Sequence, residues 1–444
     1  MAAQRSAGQY GAMIESLHAN RRQILAGAAA LALASPLSAH AQSRLDAGSV
    51  GVAGGTGADQ TAALQAALDQ AAGAGQTLSL PAGVIEVQEL RLPANLVLEG
   101  VPGSTELVVQ PDGSGITILD CRALILRDIG FAGGAAALSI AASDDITVER
   151  CRFSGARQGI SINDAKVTIR DCQFDRLSDA AIHAMDSRGV LIAGNSIDSC
   201  GNAGIRIWRA ENGDDGSIIT HNRIANIDWR GGGNGQNGNG INVFWADEVI
   251  VADNHIADCA FSAVRLNSTN NCQVSGNICL RSGEVAIFSE FAFSGSIIAN
   301  NIIDGAAQGI SITNLDSGGQ LAVCSGNIVR NIAPSSAVNP DTVPVGIFAE
   351  AETAITGNTV QNVPGLAIAA GYGPFLQNVL IAGNVVSAST VGVGVSVVDG
   401  AGSVHIGGNA ISGATNAVAG MAWDKIVEPD LMANAGRFAN VTID

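Results

Sequence analysis

Residues 203–222 read AGIRIWRAENGDDGSIITHN. Arg206, Trp208 and Arg209 interrupt an apolar run there, and the pair Asp214-Asp215 follows closely. An indole beside guanidinium groups suits a sugar, whose C–H faces stack on aromatic rings and whose hydroxyls and carboxylates need donors. A doubled aspartate suits glycoside hydrolysis or cation binding. On a surface strand and its turn the same residues would simply be solvated. The choice depends on where each side chain points, and the surrounding elements decide that.

Those elements repeat. The segments VLIAGNSI (190–197), SIITHNRI (217–224), VIVADNHI (249–256), GSIIANNI (295–302) and VHIGGNAI (404–411) align with four others on one asparagine each. These are Asn195, Asn222, Asn254, Asn277, Asn300, Asn327, Asn358, Asn384 and Asn409. Earlier units put Ile129, Cys151 and Cys172 in that slot, and the spacings run from 21 to 32 residues. In twelve consecutive units apolar residues stand three positions before the slot and two after it, such as Ile192 with Ile197 and Ile297 with Ile302. Neither a helical period nor a hairpin series keeps side-chain character at fixed offsets in this way. The pattern predicts a coil repeated along an axis, each side chain stacked on its equivalent about 4.8 Å away. The asparagines would form a ladder of amides at a tight corner. Another strand, GI-x-I in character, precedes most units, as in GISI (159–162), GIRIW (204–208) and GINVF (240–244).

Alternation along the GI-x-I strand turns its isoleucines inward and the residues between and after them outward. One outward column then holds His183, Arg206, Asn242, Arg265 and Phe288. A second holds Trp208, Phe244, Asn267, Glu290 and Glu350, and Asp186, Arg209 and Trp245 stand at the strand ends. Three of the four tryptophans (Trp208, Trp229, Trp245) fall on this face or its adjoining loop, and an outer face that collects scarce aromatics points to binding. The expected substrate-binding residues are His183, Asp186, Arg206, Trp208, Arg209, Asn242, Phe244, Trp245 and Asn267. Glu290 and Glu350 lie two rungs apart, about 10 Å between backbones, near the ~6.5–9.5 Å of an inverting pair of carboxylates. In a lyase, Arg265 would clamp a sugar carboxylate while a base removes the adjacent proton. No outward column pairs carboxylates as calcium requires, so no metal or other cofactor is expected.

The bulk composition suits such a stack. The 444 residues include 55 glycines, 4% aromatic and 14% charged residues, with a formal net charge of −17. This fits many tight turns around small core residues and argues against nucleic acid as a partner. ANRRQILAGAAALALASPLSAHAQ contains Arg21-Arg22, an apolar run to about Ala34, and Ala39-His40-Ala41. It has the form of a twin-arginine signal peptide cleaved after Ala41, with Met1 or Met13 as the start. Its apolar run is shorter than the ~18 residues of a membrane span. The expectation is a periplasmic or secreted protein that meets the Tat translocase during export and keeps no stable membrane anchor. All eight cysteines lie beyond residue 41 without CxxC spacing, which speaks against zinc. Cys151 and Cys172 fall on neighbouring rungs, and buried thiols are expected.

The asparagine slot, its apolar columns and the GI-x-I strand resemble the right-handed parallel β-helix of the pectate-lyase-like superfamily. The resemblance covers about residues 105–415 and implies an all-β, single-stranded solenoid of about 12 or more coils with an Asn ladder. GADQTAALQAALDQAA (57–72) reads as a capping helix with Asp59 as its N-cap, and LPAG (80–83) follows it. Residues 42–104 are therefore expected to form the N-terminal cap and first coils, and 416–444, with Trp423 and RFANVTI, the C-terminal cap. Together with residues 1–41 as signal, the whole chain resembles the bacterial Tat-translocated repetitive protein family.

The superfamily resemblance implies that substrate lies along the first sheet, between long return loops, here 226–240 and 331–345. It also implies arginine in a lyase, with Arg206, Arg209 and Arg265 on substrate carboxylates and one of them, or a nearby group, as base. The sequence departs from polygalacturonase-type glycosidases, whose G-D-D motif precedes a first-sheet strand and is accompanied by NTD, GHG and RIK. Here Gly213-Asp214-Asp215 precedes a second-sheet strand without those companions, and a solvated turn is expected. The chain is thus expected to bind a polysaccharide or oligosaccharide in a groove from Asp186 to Glu350, with cleavage by lyase or hydrolase chemistry in view. A non-catalytic binding or scaffolding solenoid of the envelope is the alternative.

Overall fold

A computed structural model describes residues 43–444 apart from positions 112, 114 and 234. Residues 1–41, expected from the sequence to be a signal peptide, lie outside the described residues. Short β-branched runs between glycine, asparagine and aspartate corners form strands of mostly three to six residues. Sixteen of them stack in parallel in one sheet, here the second, from Arg44–Asp46 to Val441–Ile443. Its register joins equivalent residues of successive coils, pairing Val148 with Ile169, Ile169 with Ile192 and Ile192 with Ile219. The first and third sheets together comprise 26 strands, joined where long strands such as Val385–Ser396 run from the third sheet into the first. The protein is an all-β parallel solenoid, and its stack extends beyond residues 105–415 at both ends.

The buried corner between the second and third sheets holds a continuous run of amide hydrogen bonds. Asn195 Nδ2 donates to Asn222 Oδ1 at 2.9 Å, Asn222 Nδ2 to Asn254 Oδ1 at 2.9 Å and Asn254 Nδ2 to Asn277 Oδ1 at 3.0 Å. Each amide also donates to a carbonyl of the preceding coil, as Asn222 does to Ile192. The next member is Asn301, not Asn300: Asn301 accepts from Asn277 Nδ2 at 3.0 Å and is fully buried. Asn300 is exposed in the left-handed backbone region, with φ 58°. Ile298 and Ile303 therefore occupy the inward columns in that coil, and Ile297 is 46% exposed. Two consecutive asparagines satisfy the sequence pattern equally, and the direction of the side chain chooses between them.

Toward the N-terminus, thiols continue the corner. Cys172 N–H donates to Asn195 Oδ1 at 2.9 Å, and Cys172 Sγ donates to Val148 O at 3.6 Å, the place an asparagine amide would reach. All eight cysteines are free and buried. Phe131, Phe153 and Phe174 stack beside them with centroids 5.2 and 4.8 Å apart and rings within 10° of parallel. Such pairs contribute about 0.5–1.5 kcal/mol each beyond the area they bury. The helix Thr61–Gly73 buries Leu64, Ala67, Leu68 and Ala71 in the same core. Its N-cap is Gln60 rather than Asp59. Asp59 Oδ1 instead accepts from the backbone N–H of Thr61 at 2.9 Å.

Candidate functional site

The first-sheet register builds the outward columns directly. His183 pairs with Arg206, Arg206 with Asn242, Asn242 with Arg265 and Arg265 with Phe288. Alongside run Trp208, Phe244, Asn267 and Glu290. The strand-end residues Asp186, Trp245, Ser268 and Phe291 have φ between 50° and 58°, so they form a turn column in which the chain leaves the sheet. Arg209 is an exception, because its strand, Ala203–Asp214, continues through an irregularity between Trp208 and Gly213.

The arginines are not free to clamp a substrate. Arg206 is 4% exposed; Nη1 donates to Asp179 at 3.0 Å and Nη2 to Asn237 of the 226–240 loop at 2.8 Å. Burial lowers its pKa, and Asp179 opposes that shift. Asp179 also accepts from Arg157, Gln158 and Asn202. Burial would raise its pKa, but Arg206 and these donors carry it below the usual range. Arg265 is held more tightly. Nε and Nη2 form a bidentate pair with Glu290 at 2.7 and 2.8 Å, and Nη1 donates to Glu284 at 2.9 Å. The loop backbone closes over it: Gly235 has φ 140°, and a Cβ there would come within 2.4 Å of the guanidinium carbon. Arg209 gives weaker bonds to Glu211 O and Ser187 O, both at 3.3 Å. Carboxylates of the protein thus occupy the donors that Arg206 and Arg265 would offer to a sugar carboxylate.

The two expected catalytic glutamates are separated by the same network. Glu290 is 2% exposed, accepts from Arg265 and Asn267, and lines a pocket of about 290 Å³ with Trp208, Asn242, Phe244 and Phe291. Burial raises its pKa, and Arg265 opposes the rise. Glu350 lines a different pocket, of about 710 Å³, toward the C-terminal end. Its Oε2 accepts from the backbone N–H of Asn314 and Leu315, each at 2.7 Å. Burial raises its pKa and those two amides oppose the rise. Rung spacing aligns the two carboxylates along the sheet, and each lines a separate pocket.

The aromatic residues are held as a surface. Trp208 Nε1 donates to Asn242 Oδ1 at 3.0 Å, and Asn242 Nδ2 donates to Gly235 O at 3.2 Å. His183 packs edge-on to Trp208 at 5.2 Å, and Phe244 stacks on Trp245 at 4.5 Å. Burial, with Arg206 next to it, pushes the His183 pKa down to about 4. Asp186 Oδ1 accepts from the Ala210 backbone N–H at 2.8 Å, which holds the chain where it leaves the sheet. The Asp214-Asp215 turn is half solvated. Asp214 is exposed, whereas Asp215 is 5% exposed, bonds Ser217 N–H through Oδ1, and its Oδ2 has no partner among the described residues. Among the described residues no three His, Cys, Asp or Glu side chains converge as metal ligands.

Sequence reasoning missed the far end of the groove. Trp423, assigned to the terminal cap, lines the larger pocket with Tyr372, and the two rings meet edge-on at 4.9 Å. Tyr372 and Trp423 are 51 positions apart and fall outside the GI-x-I pattern, so alignment of the repeat does not connect them. Scarcity was the available signal, since the chain has two tyrosines and four tryptophans.

The fold and its outer groove define the class, a right-handed parallel β-helix. A family model described as "Right handed beta helix region" matches residues 114–233. No curated protein matches the sequence. Among solved structures, an alginate lyase, AlyF-OU02, in complex with G6 is similar at 14% identity and TM-score 0.51, over 92% of this chain and 97% of that one. The bacteriophage Phi29 gene product 12 N-terminal fragment is similar at 12% identity and TM-score 0.53, over 87% and 74%. The PfbA surface adhesin of Streptococcus pneumoniae aligns at 14% identity and TM-score 0.46, over 87% and 94%. At these identities the likeness is one of fold.

Proposed function

We propose that this protein is an exported β-helix that binds a polysaccharide along its first-sheet groove without cleaving it. The observation that carries the reading is a line of aromatic and amide side chains beside charges that are already neutralised within the protein. Trp208, Phe244, Trp245 and Phe291 offer ring faces, and Asn242 and Asn267 are fixed between them by hydrogen bonds. Stacked rings and oriented amides recognise sugars through C–H faces and hydroxyls. Catalysis needs an acid and a base with protons to exchange, whereas Arg265 and Glu290 are committed to each other. Export through the Tat translocase to the periplasm or exterior belongs to the same proposal and rests on Arg21-Arg22 and the Ala39-His40-Ala41 site. The test combines calorimetric binding to a panel of neutral, acidic and amino polysaccharides with mass spectrometry of the recovered chains. Binding with intact chains is the expected result. Unsaturated or hydrated new ends would replace this reading with a lyase or a hydrolase.

A further inference from the structure

The larger pocket differs from the rest of the groove in its charge. It holds about 710 Å³ and is lined by Glu284, Asp341, Glu350 and Asp424 together with Tyr372 and Trp423, and no basic residue is among the described residues that line it. Arg265, which lines the neighbouring pocket and bonds Glu284 of this one, is already paired with Glu284 and Glu290. Glu350 is 7% exposed, and its Oε2 is taken by two backbone amides. Its other oxygen accepts no hydrogen bond from the described residues and keeps some exposure at the pocket wall.

The aromatic side of the pocket is built rather than incidental. Trp423 adopts φ 57°, a region unfavourable for a bulky residue. Gly373 lies directly under its ring, where a Cβ would come within 2.4 Å of the indole. Tyr372 meets the ring edge, and its hydroxyl donates to Asp424 Oδ2 at 3.1 Å. The indole is nonetheless 49% exposed, so a face remains for a ligand.

Carboxylates and aromatic faces in one cavity whose lining holds no basic residue suit an organic ammonium group. We propose that this pocket selects sugar units carrying a free amine, with the ammonium on the open oxygen of Glu350 and a sugar ring against Trp423. The inference rests on the glycan-binding reading and specifies its ligand. It also excludes uronates here, since a sugar carboxylate would meet four acidic side chains and no basic one in the lining.

The test is calorimetric titration of the purified chain at 0.15 M salt with three hexasaccharides: β-1,4-glucosamine, its N-acetylated form and an oligouronate. The amino hexamer should bind about tenfold more tightly than the N-acetylated one, as one charge-assisted hydrogen bond provides, and the uronate should bind neither pocket face. Glu350→Gln keeps an acceptor for the Asn314 and Leu315 amides, so circular dichroism should be unchanged. It should erase the preference for the amine while leaving the N-acetylated hexamer as it was. Trp423→Ala should weaken both sugars, and Asp145→Asn, on a second-sheet strand many rungs away, should weaken neither. Equal binding of the amino and N-acetylated hexamers, a Glu350→Gln variant that keeps the preference, or a lysine peptide binding where the amino hexamer does not would overturn the amine inference alone. Failure of every saccharide would overturn the glycan reading with it.

Discussion

Replacing Arg265 by methionine should destabilise the protein by about 3–5 kcal/mol, the range for removing one partner from a buried ion pair. The structure sets the upper part of that range. Three guanidinium bonds are lost at once, the arginine side chain is 7% exposed, and the two glutamates left behind are 4% and 3% exposed. Methionine fills most of the volume, so the loss is electrostatic rather than a cavity effect. Its pH dependence follows from Glu290, whose folded pKa already lies above the ordinary carboxylate value because of burial and would rise further without Arg265. A carboxyl with a raised folded pKa binds more protons in the folded state, so its penalty is present above that pKa and disappears as pH falls toward the unfolded value. The destabilisation should therefore be larger at pH 7 than at pH 5. Urea unfolding followed by tryptophan fluorescence is the assay, because Trp208, Trp229 and Trp245 belong to the surrounding rungs and loop. Combining Arg265→Met with Glu284→Gln and Glu290→Gln should recover most of the loss. An Arg265→Met variant that unfolds at the parent midpoint at pH 7 but no longer binds sugar would refute the structural role and restore Arg265 as a ligand clamp.

Other consequences can be measured independently. Asn301→Ala strips the acceptor from the Asn277 backbone N–H and a donor from Val274 O, while the Asn277 amide keeps Val251 O and Ser275 O, at about 2–5 kcal/mol for one or two buried groups left short of a partner. Asn300→Ala should cost only about 1–2 kcal/mol, the strain of a left-handed alanine. Equal costs in urea denaturation would put the corner ladder in the wrong residue. None of the eight thiols should react with a disulfide reagent in the native protein, where burial pushes Cys200, Cys279 and Cys324 up to about 12, and all eight should react after denaturation. A native thiol that titrates, or fewer than eight after unfolding, contradicts the structure. His183 should titrate near 4 by NMR, below its ordinary value of 6.5. Since the unfolded chain takes up a proton that the folded imidazole refuses, stability from this group is lost as pH falls from about 6.5 toward 4. His183→Gln should flatten the stability profile across that window, and an unchanged profile would show the imidazole to be exposed.

The amino-acid sequence by itself determined the coil. Every side chain in a parallel stack meets its own equivalent one rung away, so a requirement such as Ile192 on Ile219, or Asn195 on Asn222, is written as a recurring offset that needs no knowledge of distant contacts. The same alternation named the outward columns of His183, Arg206, Asn242 and Arg265 correctly as neighbours. It failed by one residue at Asn300, where two adjacent asparagines fit one slot and only the packed corner shows which amide turns inward. Tertiary structure alone decided what the outward side chains do. Arg206 is neutralised by Asp179, 27 positions away, Glu284 is pinned by Asn339 at a distance of 55, and Tyr372 finds Asp424 at a distance of 52. Those partners come from turns and loops of irregular length, which carry no period to read. The availability of a charged group depends on the full set of neighbours that desolvate and pair it, and in this protein that set is assembled from outside the repeat.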